Sequence, residues 1–255
     1  MNQDHNQSPL VSIVMPAYNS EKWISEAIAS VRSQDYENWE LIVVDDGSSD
    51  LTFQMAFKLA ENDIRIRVFQ QANSGPASAR QAAIDFAKGR FIAFLDSDDL
   101  WPPNKLSSQI SFMLEKSAVL SFTRFRRFRQ NQESFGHLLK IPDETVYGKL
   151  LKSNVIATST AIIDREKYPI IRIKKTYYDD YALWLDILRD GSVAHGLQMD
   201  LMRYRVVNKS VSRNKFKSAA MVWKLYRRVE CLNLFQSLFY MTNWTIIGLK
   251  KYRNF

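Results

Sequence analysis

FIAFLDSDDLW, residues 91–101, is a short apolar run that stops at three carboxylates, Asp96, Asp98 and Asp99. Bounded by turn-type residues, such a run has the pattern of a buried strand in a parallel sheet, and ligands of these sheets gather at the carboxyl ends of the strands. It predicts a strand over Phe91–Leu95 that delivers acid to its end. Asp96 and Asp98, two residues apart on a loop, can share one divalent cation. With oxygen ligands only, the pair favours Mg2+ or Mn2+, which retain waters and take phosphate oxygens as further ligands. An EF-hand loop would need glycine where Trp101 stands, which argues against calcium of that kind. An aspartyl phosphatase also places DxD after an apolar strand, with Asp96 as nucleophile and Asp98 as acid, although Leu100 stands where such sites have Thr or Val. A solvated acidic turn is the plain alternative to both.

The pattern repeats upstream. Val11–Met15 predicts a first buried strand, with Pro16, Ala17, Tyr18 and Asn19 as the turn after it, and Ile24, Ala27, Ile28 and Val31 recur at helical spacing. Leu41–Val44 predicts a second strand ending in Asp45, Asp46, Gly47 and Ser48, after which Ser49 or Asp50 can cap a helix reaching about Glu61. Ile66–Phe69 leads through Asn73, Ser74, Gly75 and Pro76 into a helix over about Ala77–Lys88. Strands alternating with helices in this way give an α/β, doubly wound, mostly parallel sheet flanked by helices. The loops at Tyr18, Asp46 and Asp96 then face one crevice. No GxGxxG or GxxxxGK[ST] stands at these turns, so a diphosphate would be held by metal, Arg80 and backbone groups.

Downstream, Pro102 and Pro103 suit a helix start, with the helix running to about Glu115. Val119–Phe128 reads as a strand in which Arg124, Arg126, Arg127 and Arg129 interleave with Phe122, Phe125 and Phe128. An edge strand with one apolar face is favoured over a phosphate-binding ribbon. Thr158–Ile163 reads as a further strand. Asp179 and Asp180 open a helix that carries Tyr181, Trp184, Ile187 and Leu188 on one face. Capping explains an acid there simply, and the helix dipole would lower its pKa; a basic role needs an adjacent acid and partial burial to raise it again.

A chain of 255 residues with net charge +8 is long enough for one large domain with an appendage. From Leu201 onward it carries 12 Lys and Arg against one acid, Glu230, or +11, which leaves −3 for the first two hundred residues. The motifs lie in the acidic part and the charge in the tail, which is not the layout of a nucleic-acid binder. One cysteine, Cys231, excludes an internal disulfide and a thiolate zinc site, and fits a reducing cytosol. The polar start MNQDHNQSPL carries no expectation of a signal peptide. The histidines, His5, His137 and His195, are scattered and receive no role.

Taken together, VSIVMPAYNSEKWISEAIASV, LIVVDDGSSD and NSGPASARQAAIDFAKGRFIAFLDSDDLW resemble the family 2 glycosyltransferases of the GT-A fold. DDYALWLDIL is similar to that family's acidic motif before a helix. LMRYRVVNKSVSRNK resembles the segment that follows it in enzymes of capsule, O-antigen and teichuronic-acid assembly. The resemblance implies an inverting transfer from a nucleotide diphosphate sugar, of the UDP type, to a glycan hydroxyl on a lipid-linked cell-surface intermediate. Pro16, Ala17 and Tyr18 would line the base pocket, and Asp46 would hold uracil or ribose. Asp96, Ser97 and Arg80 would lie at the sugar diphosphate, with Asp98 and Asp96 on Mn2+ or Mg2+. Asp180 would be the general base, with Asp99, Asp179 and Trp184 as accessory or acceptor-side residues. Asp179 stands where the family often has Glu. A non-catalytic sugar-nucleotide or glycan binder remains an alternative on the same fold.

The expected organisation is a catalytic domain over residues 1–216, its nucleotide-sugar half about 9–106 and its acceptor half about 107–216, followed by a basic amphipathic helical tail over 217–255. Within the tail, Val229–Leu249 is about as long as a membrane span, yet Glu230, Asn233, Gln236, Ser237, Thr242 and Asn243 interrupt it. Two helices lying on the cytoplasmic face of the membrane fit better, with Lys224, Arg227, Arg228, Lys250, Lys251 and Arg253 near anionic headgroups. Packing on the catalytic domain or on a second subunit is the alternative.

Overall fold

The computed structural model describes residues 8–129, 135–206 and 215–253. Its first half alternates β1 (Val11–Ala17), α1 (Ile24–Arg32), β2 (Trp39–Asp45), α2 (Thr52–Ala60), β3 (Ile66–Gln70), α3 (Pro76–Phe86) and β4 (Phe91–Phe94). These strands read as unbroken apolar runs because both their faces are covered. Val14, Ile42, Val44, Ile92 and Phe94 point into one core, and Ile13, Met15, Leu41, Val43, Phe91 and Ala93 into the other. β2 ends in a turn that requires glycine. Gly47 has φ +70, and a Cβ there would come within 2.9 Å of the Asn73 nitrogen.

The second half adds α4 (Lys105–Glu115), β5 (Leu120–Phe128), β6 (Glu144–Thr145), α5 (Tyr147–Lys152), β7 (Ile162–Asp164), α6 (Asp179–Leu188) and β8 (Ala194–Arg205). All eight strands form one sheet in the order β3-β2-β1-β4-β7-β5-β8-β6. β7 runs antiparallel to β4 and β5, and β6 antiparallel to β8, while the others share one direction.

The expectations for β5 and for residues 158–163 are corrected. β5 is not an edge strand: Leu120 and Ser121 pair with β7, and the rest of it pairs with β8 as far as Phe128↔Arg205. Residues 158–160 form a 3-10 turn, and only Ile162–Asp164 is strand. The hydroxyls of this segment bond outside a ladder, Thr160 to the Ala157 carbonyl at 2.6 Å and its neighbours to carboxylates, which diverts the chain from strand geometry. At α2 the N-cap is Leu51; Asp50 stands one residue earlier and accepts from the Thr52 N–H at 3.0 Å. Its other oxygen takes the Glu21 N–H at 3.1 Å, so it satisfies the first N–H of α2, as expected of a capping acid, and ties two loops together.

The C-terminal stretch forms α7 (Lys215–Lys224), a π-helical turn (Leu225–Val229) and α8 (Leu234–Arg253). Val222, Leu225 and Tyr226 are buried in the same core as α6. Glu230 accepts from the Tyr147 hydroxyl at 2.7 Å and from Arg189 at 3.0 Å. The expected tail thus begins inside the body of the domain. α8 packs Tyr240, Met241 and Trp244 inward and leaves Leu234, Phe235, Leu238, Phe239 and Ile246 exposed. Among the described residues no helix is long and apolar enough to cross a membrane. Val207–Asn214, most of the NKSVSRNK segment, and the side chains of Lys250, Lys251 and Arg253 lie outside the described residues.

Candidate active site

The acidic loop begins where β4 leaves the sheet. The Asp96 N–H donates to the Ser159 hydroxyl at 3.1 Å, and the half-exposed Asp96 carboxylate accepts from Arg80 at 2.9 Å. Burial and the charge of Asp96 push Asp98 up to about 6. Asp99 is buried; its oxygens accept from the Ser159 hydroxyl at 2.6 Å and the Arg205 N–H at 3.0 Å. Burial, then Asp98 and Asp96, hold its pKa well above the usual carboxylate range. These oxygens suit a hard divalent cation, because a positive charge would offset the burial and the Asp96 charge that raise the Asp98 pKa. Among the described residues no group of three or more ligands stands ready as a cage. Asp96 and Asp98 are the residues that would hold such a cation, which would supply positive charge beside a diphosphate.

Pro16 and Ala17 are the buried last residues of β1, and Tyr18, 52% exposed, stands just beyond them with an open aromatic face. Asp46 accepts from Gln71 at 2.7 Å, the Ser74 N–H at 2.9 Å and the Gly75 N–H at 2.8 Å. A carboxylate offers about four acceptor positions, so one remains on Oδ2 for a ligand. Ser97 is buried, with its hydroxyl 2.8 Å from that of Ser20, and joins the acidic loop to the segment after Tyr18.

The acids of α6 face the same place from the other side. Arg80, buried on α3, donates through one nitrogen to Asp179 and through another to Asp96. Burial alone would lower the Arg80 pKa; the charges of Asp96, Asp179 and Asp180 outweigh it and raise it. Asp180 accepts from the Thr158 hydroxyl at 2.6 Å and the Tyr181 N–H at 2.6 Å. Burial and the charge of Asp179 raise its pKa, against Thr158, Arg80 and the Tyr181 N–H. The N-cap residue of α6, Tyr178, makes no side-chain cap, and Asp180 satisfies the first-turn N–H of Tyr181 with one oxygen while the other takes the Thr158 hydroxyl. An open cavity of about 300 Å³ lies against Asp180, Asp96 and Asp99 and is lined also by Phe125, Tyr178 and Tyr204. Trp184 is a correction: it is fully buried, packed edge-on against Phe94 at 5.2 Å, and outside the cavity wall. Its place on the inner face of α6 withholds it from any acceptor.

The family model for glycosyl transferase family 2 matches residues 12–169, more than half of the chain. The chain belongs to glycosyl transferase family 2. TuaG of Bacillus subtilis (strain 168), named for teichuronic acid biosynthesis, is 37% identical over 252 residues, covering 96% of this chain and 98% of TuaG. WfgD of Escherichia coli, a UDP-Glc:alpha-D-GlcNAc-diphosphoundecaprenol beta-1,3-glucosyltransferase, is 38% identical over 95% of each chain. Among solved structures, the mannosyltransferase PcManGT of Pyrobaculum calidifontis, in complex with GDP-Man and Mn2+, superposes with a TM-score of 0.70 at 17% identity, over 94% of this chain and 70% of that one. S. aureus TarS 1-349 in complex with UDP-GlcNAc gives 0.69 at 18%, over 93% and 72%. These two likenesses establish the GT-A fold.

In this family 2 glycosyltransferase the residues that assemble the acids carry little signal in the sequence. Thr158 and Ser159 hold Asp180 and Asp99 from one short turn. Arg205 donates to the Asp98 carbonyl at 2.8 Å and to Glu26 at 2.6 Å, with its guanidinium 4.5 Å from the Trp23 and Phe128 rings. The basic alternation in LMRYR was the only local signal for Arg205, and the hydroxyls of ATST gave none.

Because Arg80 compensates two acids, Arg80→Met leaves them uncompensated and is expected to cost about 3–5 kcal/mol of stability. Adding Asp179→Asn should recover part of that loss. Urea unfolding of the two variants beside the parent measures both; a single variant as stable as the parent would show that the bridge contributes nothing.

Proposed function

We propose that this chain moves a sugar from a nucleotide diphosphate sugar, a UDP-sugar, to a hydroxyl of a lipid-linked cell-surface glycan, in one displacement with inversion and with Asp180 as general base. The observation that carries the reading is the meeting of Asp180, its pKa raised, with the acidic loop across one cavity. The names of the relatives support the substrate class: WfgD for UDP-Glc and a diphosphoundecaprenol-linked acceptor, and TarS for its UDP-GlcNAc complex.

In this reading the nucleotide base lies on Tyr18, Pro16 and Ala17, and Asp46 receives a donor group of the base or ribose. Mn2+ or Mg2+ on Asp96 and Asp98 would offset the negative charge that grows on the departing diphosphate. The acceptor O–H donates to Asp180. As the oxygen bonds to the anomeric carbon, the bond to the diphosphate oxygen breaks and the proton passes to the Asp180 carboxylate. A base with a raised pKa is a stronger proton acceptor, while Thr158 and Arg80 favour its ionised form. Asp96 is held in an ion pair, which argues against the nucleophile that a phosphatase would need.

The position proposed for the enzyme is peripheral, on the cytoplasmic face of the membrane, through α8. Its exposed Leu234, Phe235, Leu238 and Phe239 follow closely on the exposed Arg227 and Arg228, the combination that binds anionic lipid surfaces. α5, against which α8 packs, leads directly into residues 154–157 of the cavity wall; Lys152 at its end lies 5.6 Å from the Phe239 ring. A lipid-linked acceptor held at that surface would be beside its site.

The test is a nucleotide-sugar panel with Mn2+ or Mg2+. Nucleoside diphosphate should appear only with acceptor transfer and stop on chelation; inorganic phosphate alone would support the phosphatase reading, and no release the binder. Asp180→Asn should retain diphosphate binding by calorimetry and lose transfer by at least about two orders of magnitude. Transfer requires ionised Asp180, so activity should fall on the acid side. Thr158→Val removes a bond that favours the ion and should move that acid limb to higher pH, whereas Thr158→Ser should leave it in place. An unmoved limb in Thr158→Val would contradict the role of Asp180. For the membrane, Phe235→Ser/Leu238→Ser/Phe239→Ser should lose co-sedimentation with anionic vesicles while keeping transfer to a soluble acceptor; equal binding by the parent and the variant would remove α8 as the anchor.

A further inference from the structure

Two glutamines stand where β3 gives way to its loop, and each serves one of the two acids that end β2. Gln70 donates to Asp45 at 3.0 Å and Gln71 to Asp46 at 2.7 Å. Asp45 is fully buried and also takes the Ser48 hydroxyl and N–H, so no ligand reaches it. Asp46 is the acid left for a ligand, and its acceptor positions can be counted. Oδ1 takes Gln71 and the Ser74 N–H, Oδ2 takes the Gly75 N–H, and a single position stays open, on Oδ2. The backbone keeps this arrangement in place. The Gln71 N–H donates to the Asp45 carbonyl at 2.9 Å, and the loop lies so close to Gly47 that a Cβ there would come within 3.2 Å of the Gln71 carbonyl oxygen.

We propose that Gln71 sets the choice of base: by filling Oδ1 of Asp46 it leaves the carboxylate able to take one ligand donor and unable to take the paired donors of guanine. The proposal rests on the glycosyl-transfer reading above and gives its nucleotide pocket a selecting residue. TarS with UDP-GlcNAc and PcManGT with GDP-Man share the fold, so the fold alone does not select a base. The side chains at the end of β2 can. Uracil presents one N–H between two carbonyl oxygens, and a single open acceptor satisfies it. Guanine presents N1–H and an amino group side by side, and a carboxylate pairs with them through both of its oxygens. With Oδ1 full, one of those donors would enter the pocket without a partner. A polar group stripped of water and left unpaired is rejected more strongly than a misfit of apolar surface. Gln71 therefore acts through Asp46, as a positioning residue that limits what the acid can receive.

The experiment measures binding of UDP, GDP and ADP to the full chain with Mn2+, by calorimetry. The parent should bind UDP at least about tenfold more tightly than GDP. Gln71→Met keeps the length of the side chain and removes its donor. In that variant GDP should gain at least about tenfold, UDP should change by less than about threefold, and ADP, a purine without the paired donors, should stay weak. Gln71→Ala, also without the donor, should shift the ratio of UDP to GDP in the same direction. A parent that binds GDP as tightly as UDP, or a ratio that neither variant changes, would overturn the proposal. An equal gain for GDP and ADP in Gln71→Met would overturn it in favour of space made in the pocket. Loss of both UDP and GDP in both variants would overturn it as well, because Gln71 would then support Asp46 without selecting. A parent that binds none of the three and turns over no nucleotide sugar would overturn the glycosyl-transfer reading itself.

Discussion

One buried guanidinium joins the two halves of this domain. Arg80 comes from α3, in the half built of β1–β4, and holds Asp96 at the end of β4 and Asp179 at the start of α6. Charges of this kind are costly to bury and costly to leave unpaired, so the arrangement tolerates little slack. It fixes where the acidic loop stands relative to α6. It also decides which carboxylate is left to act: Asp96 and Asp179 share Arg80, Asp99 is held by Ser159 and Arg205, and Asp180 faces the cavity with a hydroxyl and an N–H as partners.

The 158–160 turn is the second join. Two adjacent hydroxyls reach acids that belong to different ends of the proposed reaction, Ser159 to the acidic loop and Thr158 to the base. A shift of this turn would move both. The Trp101 indole N–H donates to the Ser159 carbonyl at 2.8 Å and anchors the turn from beneath. The conspicuous tryptophan at the end of FIAFLDSDDLW thus has a structural use next to the acids it follows.

The half built of β1–β4 was legible in the sequence because its strands are covered on both faces, which leaves an unbroken apolar run ending in polar turn residues. Asp46, Asp96 and Asp98 could be placed from such runs alone. The second half was less legible for definite reasons. The pairing of β5 between β7 and β8 depends on the sheet order, which no local pattern encodes. The partners of Thr158 and Ser159 lie 22 and 60 residues away. Trp184 sits on an apolar helix face, whose spacing alone called for the core; its assignment to the acceptor came from the resemblance. Arg127 was noticed with its neighbours, but the two-residue alternation that sends it to the cavity and Arg126 to Asp200 acquires meaning only once β8 is in place.

The proposed reaction is a single displacement, with a carboxylate that takes a proton and none that attacks carbon. The anomeric configuration of the first product reports this directly. Proton NMR of a transfer mixture, read early enough to precede any slow rearrangement, should show a linkage of configuration opposite to that of the donor sugar. A product that retains the donor configuration would contradict the proposed single displacement, since it would require a carboxylate that attacks the anomeric carbon.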